Sequence, residues 1–193
     1  DFEILEIVKQ TIKKESESIK KLLDYIDNEF VSAVKEIFNS KGRVIISGIG
    51  KSAIIGNKIV ATLNSTGTPA IFMHAAEAIH GDLGIIQPDD VVICMSKSGN
   101  TPEIKVLTPL VKSRGNKLIA LVGNTDSYLA KSADYVLNCT VEKEACPNNL
   151  APTSSTTAQL VLGDALAVAL LYCKNFTAQD FARYHPGGSL GKR

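Results

Sequence analysis

Residues 91–104 read VVICMSKSGNTPEI, an apolar run that gives way to hydroxyl-bearing residues and glycine and then to a helix-forming segment. The run Val91–Cys94 is continuous rather than alternating, which is typical of a parallel strand buried on both faces. Pro102 suits the first turn of a helix, because its missing N–H would have no intrahelical partner there. The stretch therefore predicts a strand, a polar turn and a helix, the repeating unit of an α/β sheet.

The same unit recurs along the chain, after an N-terminal segment with apolar residues at helical spacing. A break between two N-terminal helices is expected at Asp27 and Asn28. The other predicted strands are 44–46, 70–73, 118–122 and 135–137, and the predicted helices are 51–65, 101–114, 126–132 and about 153–172. This alternation predicts a three-layer α/β/α sandwich around a doubly wound, five-stranded parallel sheet. Without repeats or linkers, one domain is expected over 1–193, with a helical segment at 1–40 and an α/β core at 41–193.

Composition narrows the classes of function. Hydrophobic residues make up 45% and charged residues 21%, as in ordinary globular proteins. With 21 basic and 20 acidic residues, no basic face for nucleic acid or an anionic membrane is suggested. Four scattered cysteines without a C-x-x-C pair favour reduced thiols and a cytoplasmic location. No apolar run of about 20 residues and no signal-peptide pattern stands out, so no membrane span is expected.

Ligands of such sheets bind beyond the carboxyl ends of the strands, so the loops that follow the strands are the informative ones. After the first strand, Gly48, Gly50 and Ala53 fit the glycine pattern of dinucleotide-binding loops, and a P-loop is excluded because Ile45 stands where its first glycine belongs. The ribose-binding acid is missing from the end of the second strand, so a dinucleotide is not expected. Lys51 opposes the dipole of the helix that it starts, which makes functional sense if an anion lies nearby.

The loop 96–101 admits two interpretations. A capped helix needs one hydroxyl, from Ser98 or Thr101, whereas this loop supplies three, and free N–H groups at a helix start bind phosphate. A phosphate cradle is therefore favoured over a simple cap. Lys97, between the two serines, is expected to face away from it.

The remaining loops add hydroxyls and ionisable groups. Five hydroxyl residues, Thr153 to Thr157, precede the last long helix. His74 and His80 are six positions apart, which fits neither helical metal spacing nor H-E-x-x-H, so no metal is predicted. His185 precedes Pro-Gly-Gly, where a helix cannot continue.

Taken together, these loops resemble the sugar isomerase (SIS) domain family, and most closely its arabinose 5-phosphate isomerases. The matching segments are Gly48–Ser52, Ser65–Pro69, Glu77–Gly84, Ser96–Gly99, Lys143–Pro147, Leu150–Thr157 and His185–Gly188. The chain departs from relatives that begin the histidine loop His-Pro-Gly-Glu, since it has His74-Ala-Ala-Glu77 here. The resemblance implies a flavodoxin-like strand order. It also implies interconversion of D-ribulose 5-phosphate and D-arabinose 5-phosphate through an enediol, without cofactor or metal.

The resemblance also implies the site. The acid–base set is Lys51, His80, Glu103, Glu144 and His185. Either Glu144 or Glu103 would be the enediol base, either His80 or His185 would handle the oxygen protons and ring opening, and Lys51 would hold phosphate or the enediolate. The substrate-binding set is Gly50, Ser52, Ser96, Ser98, Gly99, Thr101, Thr153, Ser154 and Ser155.

Several expectations about partners follow from the same resemblance. A homotetramer, built as a dimer of dimers through the N-terminal helices and the stripe 160–171, is expected, with sites that share residues between subunits. Relatives often continue into a pair of cystathionine-β-synthase-type domains, so a chain ending at Arg193 is either an isomerase-only form or a truncated one. Feedback by CMP-Kdo binding to the isomerase domain is a further hypothesis, for a pathway to Kdo, lipopolysaccharide or capsule. Rival functions are a non-catalytic sugar-phosphate sensor and an isomerase of another phosphosugar.

Overall fold

A computed structural model describes residues 1–189, 191 and 192. The strands are β1 (Val44–Gly48), β2 (Ala70–His74), β3 (Val91–Ser96), β4 (Leu118–Val122) and β5 (Tyr135–Asn138). The helices are α1 (Phe2–Lys21), α2 (Asn28–Asn39), α3 (Lys51–Ser65), α4 (Ala75–Ala78), α5 (Pro102–Ser113), α6 (Tyr128–Ser132), α7 (Ser154–Cys173) and α8 (Ala178–Tyr184). The predicted strands and long helices are confirmed, with ends that differ by a few residues.

The five strands form one parallel sheet in the order β2-β1-β3-β4-β5. Every residue of β1, β3 and β4 is buried, which explains why these segments read as continuous apolar runs. The chain order reverses between β1 and β3, so the loops after these two strands diverge and leave a crevice between them. The predicted doubly wound sheet in flavodoxin-like order is confirmed.

Helices cover both faces of the sheet, and each face has its own apolar core. Ile46 belongs to the core beneath α2, α3 and α7, whereas its neighbour Ile45 points into the core beneath α4, α5 and α6. On the first face α3 and α7 pack very closely, because a Cβ added to Gly163 would collide with the Ile59 side chain. The helix starts of α3 and α5 therefore reach the crevice from opposite layers.

The N-terminal helices pack onto this frame only in part. Asp27 caps α2 by accepting a hydrogen bond from the Glu29 backbone N–H at 3.0 Å, which confirms the predicted break. α1 contacts α7 through its second half, while its first half leaves apolar side chains at least half exposed. These side chains are Phe2, Ile4, Leu5, Ile7, Val8 and Ile12, called here the α1 apolar face.

Two expectations need correction. α8 and the short α4 were not predicted, although Thr177 and Asp180 form a capping box at the start of α8. The expectation that the chain lacks an apolar segment of membrane-spanning length was wrong: α7 has 20 residues and a mean hydropathy of 1.5. Nine of its residues are buried against the sheet and neighbouring helices, which accounts for this composition in the interior of an α/β protein.

Candidate active site

A cavity of about 230 Å³ lies at the carboxyl ends of β1 and β3, in the crevice between their loops. Three segments line it: the start of α3, the β3–α5 loop and the start of α7. The lining residues are Ile49, Lys51, Ser52, Met95, Ser96, Lys97, Ser98, Thr101, Pro152, Ser155 and Thr156. The structure thus brings together most of the hydroxyl residues that the sequence predicts for phosphate binding.

The β3–α5 loop is held in shape by its own serines. Ser96 Oγ accepts a hydrogen bond from the Gly99 N–H at 2.9 Å, and Ser98 Oγ accepts one from the Asn100 N–H at 3.2 Å. Gly99 has a φ of +66°, and a Cβ at this position would collide with the Ser127 side chain. Only glycine therefore allows this turn, which leads into the start of α5.

Thr101 occupies the N-cap position of α5, but its side chain makes no capping hydrogen bond. Its Oγ1 is buried and has no hydrogen-bond partner among the described residues. Since a buried hydroxyl without a partner is costly, the hydroxyl is suited to a ligand in the adjoining cavity. Neither Thr101 nor Ser98 caps α5 with its hydroxyl, so the capped-helix interpretation is not met, and phosphate binding by this loop stays a prediction.

The start of α3, like that of α5, has no side-chain cap. Gly50, with a φ of +62°, stands at the N-cap and offers no side chain, so the first N–H groups of α3 also lack a capping side chain. Lys51 is exposed and lines the cavity, and it makes no ion pair with any described residue. Ser52 Oγ is 3.1 Å from the Nε2 donor of the buried Gln159 on α7.

Other helices of the chain have the caps that α3 and α5 lack. Asp27, Ser127 and Thr177 accept backbone hydrogen bonds at the starts of α2, α6 and α8. Two free helix starts that converge on one cavity, one from each layer, supply unsatisfied N–H donors and the positive ends of two dipoles. This arrangement favours an anion in the cavity.

Glu144 lies behind the cavity, on the loop between β5 and α7, with a side chain that is 0% exposed. Its Oε2 accepts hydrogen bonds from the backbone N–H of Thr153 at 2.6 Å and of Ser155 at 3.4 Å, so it caps α7 from nine residues upstream. Burial alone would raise the pKa of the Glu144 carboxyl. Hydrogen bonds from Ser155 and the Thr153 backbone, with the positive charge of the nearby Lys97, outweigh burial and hold this pKa below its ordinary value.

Lys97 is placed differently from the expectation. It does not face away: its side chain lines the cavity, and its Nζ lies 3.0 Å from Glu144 Oε1. Nothing in the local sequence indicates this orientation, because the partner carboxylate is 47 positions away along the chain. Lys97 and Thr156 are the polar lining residues that the sequence did not predict.

The predicted acid–base residues are spread more widely. Glu103 is half-buried in the first turn of α5, next to the cavity but not lining it, and makes no hydrogen bond or ion pair with its carboxylate among the described residues. His80 is exposed in the turn that follows α4. Thr153 and the fully buried Ser154 stand at the start of α7 without lining the cavity.

His185 lies far from the cavity of its own chain. It follows α8, and its ring stacks on Phe181 with centroids 3.8 Å apart. α8 starts shortly after the end of α7, where Lys174 Nζ donates to the Gly67 carbonyl at 2.8 Å. Since α7 begins at the cavity and its 20 residues span about 30 Å, whereas α8 spans about 10 Å, His185 cannot reach that cavity.

No three His, Cys, Asp or Glu side chains in the described part of the chain converge as metal ligands would. The glycine pattern after β1 also has no ribose-binding acid opposite it, since β2 ends at His74. The chemistry of the lining residues is that of an oxyanion site: hydroxyls, backbone N–H groups and two lysines.

Comparisons with known proteins identify relatives of the chain. The arabinose 5-phosphate isomerase KdsD of Pseudomonas aeruginosa is 52% identical over 193 residues, covering 100% of this chain and 59% of the relative. The chain spans 56–59% of the length of the first curated relatives it matches.

Two solved structures of similar length also match. Escherichia coli CFT073 c3406, solved in complex with arabinose 5-phosphate, has a TM-score of 0.92 and 41% identity, covering 96% of this chain and 99% of that one. A putative phosphosugar isomerase involved in capsule formation from Bacteroides fragilis has a TM-score of 0.91 and 36% identity, covering 96% and 98%. The SIS domain signature matches residues 36–169, and the chain belongs to the SIS domain family.

Proposed function

We propose that the protein is an aldose–ketose isomerase that interconverts D-ribulose 5-phosphate and D-arabinose 5-phosphate. The observation that carries this proposal is the cavity where two uncapped helix starts meet a cluster of hydroxyls and Lys51. The names of the relatives, which are arabinose 5-phosphate isomerases at about half identity over this chain, select the substrate.

The phosphate would occupy the cavity between α3 and α5. Ser96 and Ser98 hold the loop, Thr101 offers a hydroxyl without another partner, and Ser52 adds a second from α3. Lys51 supplies a positive charge without a competing carboxylate among the described residues. Dianion binding at two helix dipoles therefore needs no metal counter-ion. Gly50, Gly99, Thr153, Ser154 and Ser155 complete the proposed substrate-binding set.

The chemistry proceeds through an enediol. A base removes a proton from C1 of the ketose and returns it to C2, while a second group moves a proton from O1 to O2. Glu103 and Glu144 remain the two candidates for the base. Their surroundings differ, since Glu144 is fixed by α7 and Lys97, whereas the Glu103 carboxylate has no hydrogen bond or ion pair among the described residues. We propose Glu103 as the group that moves the proton and Glu144 as the group that fixes the site.

The partner for the oxygen protons would be a histidine from a second subunit. His185 lies far from its own cavity, and His80 is exposed on the surface, where a neighbouring copy could contact it. The α1 apolar face offers a contact surface for such a copy. We therefore propose a homotetramer, assembled as a dimer of dimers, whose sites combine residues from different subunits.

Incubation with ribulose 5-phosphate tests the proposal. Arabinose 5-phosphate is expected to accumulate to a fixed equilibrium ratio, which the reverse reaction should also reach. The Glu103→Gln and Lys51→Met variants should lose at least about a hundredfold in kcat/KM, the range expected when one acid–base or charge-stabilising group is removed.

Two rival outcomes are distinguishable in the same experiment. Tight binding of the sugar phosphate without turnover at any pH would indicate a non-catalytic sensor. Turnover of a phosphoheptose or phosphohexulose in place of ribulose 5-phosphate would indicate an isomerase of another phosphosugar.

Four further proposals concern the location, the domain organisation, the pathway and the regulation of the protein. The four cysteines are free, which supports a cytoplasmic location, and residues 1–193 would form one domain. Its product would feed synthesis of Kdo for lipopolysaccharide or capsule, as the names of its relatives suggest. CMP-Kdo would then inhibit by binding the isomerase domain, which a rise in melting temperature on adding CMP-Kdo would support and an unchanged rate and melting temperature would refute.

A further inference from the structure

Lys97 connects the two loops that meet behind the cavity. Its Nζ lies 3.0 Å from Glu144 Oε1, an ion pair in which the lysine side chain is 49% exposed and the carboxylate 0%. The same side chain lines the cavity beside Ser96 and Ser98. One ammonium group is therefore within reach of both the phosphate cradle and the buried carboxylate.

The main chain of Lys97 is itself held in place. Its carbonyl accepts a hydrogen bond from the Gly123 N–H at 3.0 Å, and a Cβ on Gly123 would lie 2.8 Å from this carbonyl oxygen. The lysine therefore starts from a fixed point at the carboxyl end of the sheet, between β3 and β4. A side chain anchored in this way can restrain the carboxylate that it pairs with.

The other end of the connection is the start of α7. Glu144 Oε2 accepts from the Thr153 N–H at 2.6 Å and the Thr153 hydroxyl at 3.2 Å, and from the Ser155 N–H at 3.4 Å. The two carboxylate oxygens thus contact different groups: Oε1 pairs with Lys97, and Oε2 accepts hydrogen bonds from the start of α7. Without the charge of Lys97, the Glu144 carboxyl would take up a proton at higher pH. The protonated carboxyl would hold the N–H groups of Thr153 and Ser155 less firmly, because these hydrogen bonds would no longer be charge-assisted.

We propose that Lys97 is a positioning residue of the sugar-phosphate site, which holds Glu144 against the start of α7 and thereby fixes the loop that carries Thr153 and Ser155. This inference deepens the proposed isomerase function and rests on it for the nature of the ligand. A favourable ion pair also keeps Glu144 ionised, because an ammonium group 3.0 Å away opposes protonation of the carboxylate.

Other ionisable groups near Glu144 also influence the pKa of its carboxyl. A second cavity, of about 540 Å³, separates α1 from the loop of Glu144. Its ionisable lining residues besides Glu144 are Lys14, Glu17 and Lys21 of α1 and Glu142, Lys143 and Cys146 of the loop. Within the described chain, the only ion pair of Glu144 is nevertheless with Lys97, so this lysine should dominate.

The test compares Lys97→Met with Lys97→Arg, which keeps the charge, and with Lys58→Met as the control. Lys58 forms an ion pair with Asp164 at 2.9 Å on the surface of α3 and α7, outside the site. In the full chain with carbon-13 in its glutamate carboxyls, Glu144 is assigned by the signal that Glu144→Gln removes, and its titration is followed by NMR. Binding of arabinose 5-phosphate is measured by calorimetry across the same pH range.

Lys97→Met should move the Glu144 titration to higher pH and weaken binding about tenfold near pH 5, with a loss below about threefold at pH 8. Lys97→Arg should restore both, and Lys58→Met should change neither. Where isomerisation is measurable, the acid limb of kcat/KM should move in the same direction.

Unchanged titration and an unchanged pH profile of binding in Lys97→Met would overturn the inference. An equal loss of binding at every pH would do so as well, because it would mean that Lys97 only contributes charge to the ligand. Titration and binding are read without turnover, so failure of the isomerase assay alone would refute the proposed function and leave this test intact.

Discussion

Mixing two inactive variants should regenerate activity if each site combines residues from two subunits. Lys51→Ala removes the cavity lysine, and His185→Ala removes the histidine that lies at the far end of α7. Each variant alone should lack activity, because every one of its sites would lack one group. In a mixed oligomer, however, an intact Lys51 and an intact His185 can meet across an interface.

The expected yield follows from the placement of the two residues. A site is intact when its own chain keeps Lys51 and the neighbouring chain keeps His185, and each condition holds for half of the chains in an equal mixture. Random exchange of subunits therefore restores about a quarter of wild-type activity. If both residues served the same chain, no chain in the mixture would carry both, and activity would stay at the background of the single variants.

The assay requires subunit exchange, so the variants are co-expressed with different affinity tags and the doubly tagged oligomer is isolated. Arabinose 5-phosphate formation is then measured per subunit. The double variant, with both substitutions in one chain, mixed with wild type is the matched control, since every site formed between a double-variant chain and a wild-type chain would lose one group. Recovery below about one part in a hundred, with mixed oligomers confirmed by mass, would refute the shared site and with it the interpretation of His185.

Two predictions concern single residues. Glu144→Gln should lower the free energy of unfolding by about 2 kcal/mol near pH 8, because the hydrogen bonds to its carboxylate are charge-assisted, and exposed Glu142→Gln should lower it little. Since the folded pKa of Glu144 lies below its ordinary value, this stabilisation is present above the unfolded pKa and is lost as the pH falls below about 4. A difference in denaturant midpoints that is independent of pH would contradict this. Gly99→Ala should cost about 3 kcal/mol through its positive φ and the Ser127 contact and weaken sugar-phosphate binding, whereas Gly84→Ala, with open space around it, should be nearly neutral in thermal melts.

The sheet could be predicted because its signal is local. Strands buried on both faces read as continuous apolar runs. Because glycines and hydroxyl residues mark the loops that follow them, β1 to β5 could be predicted, together with α3, α5 and α6. The lining hydroxyls followed from topology, since the carboxyl ends of β1 and β3 flank the crevice at which the chain order reverses.

What could not be predicted depends on contacts between distant segments. The orientation of Lys97 depends on its ion pair with Glu144. Glu144 in turn acts as a cap only because α7 starts ten positions later and brings its first N–H groups to the carboxylate. The separation of His185 from the cavity depends on the course of α7 and α8 across the molecule. The capping box of Thr177 and Asp180 could have been recognised in the sequence. We did not predict α8 because the Pro-Gly-Gly that follows His185 indicated a loop.

The close approach of Gly163 to Ile59 has a consequence for how the site can change during evolution. This contact joins α3 and α7 near their middles, and the Gln159–Ser52 hydrogen bond joins them again near the cavity, so the two helices move as one body. The hydroxyls that they present are therefore ordered before any ligand arrives, which lowers the entropy lost on binding. If these hydroxyls bind phosphate as proposed, the phosphate site is a fixed part of the scaffold. Selectivity for the remainder of the sugar can then diverge through residues outside this pair, such as those on other loops or on a neighbouring subunit.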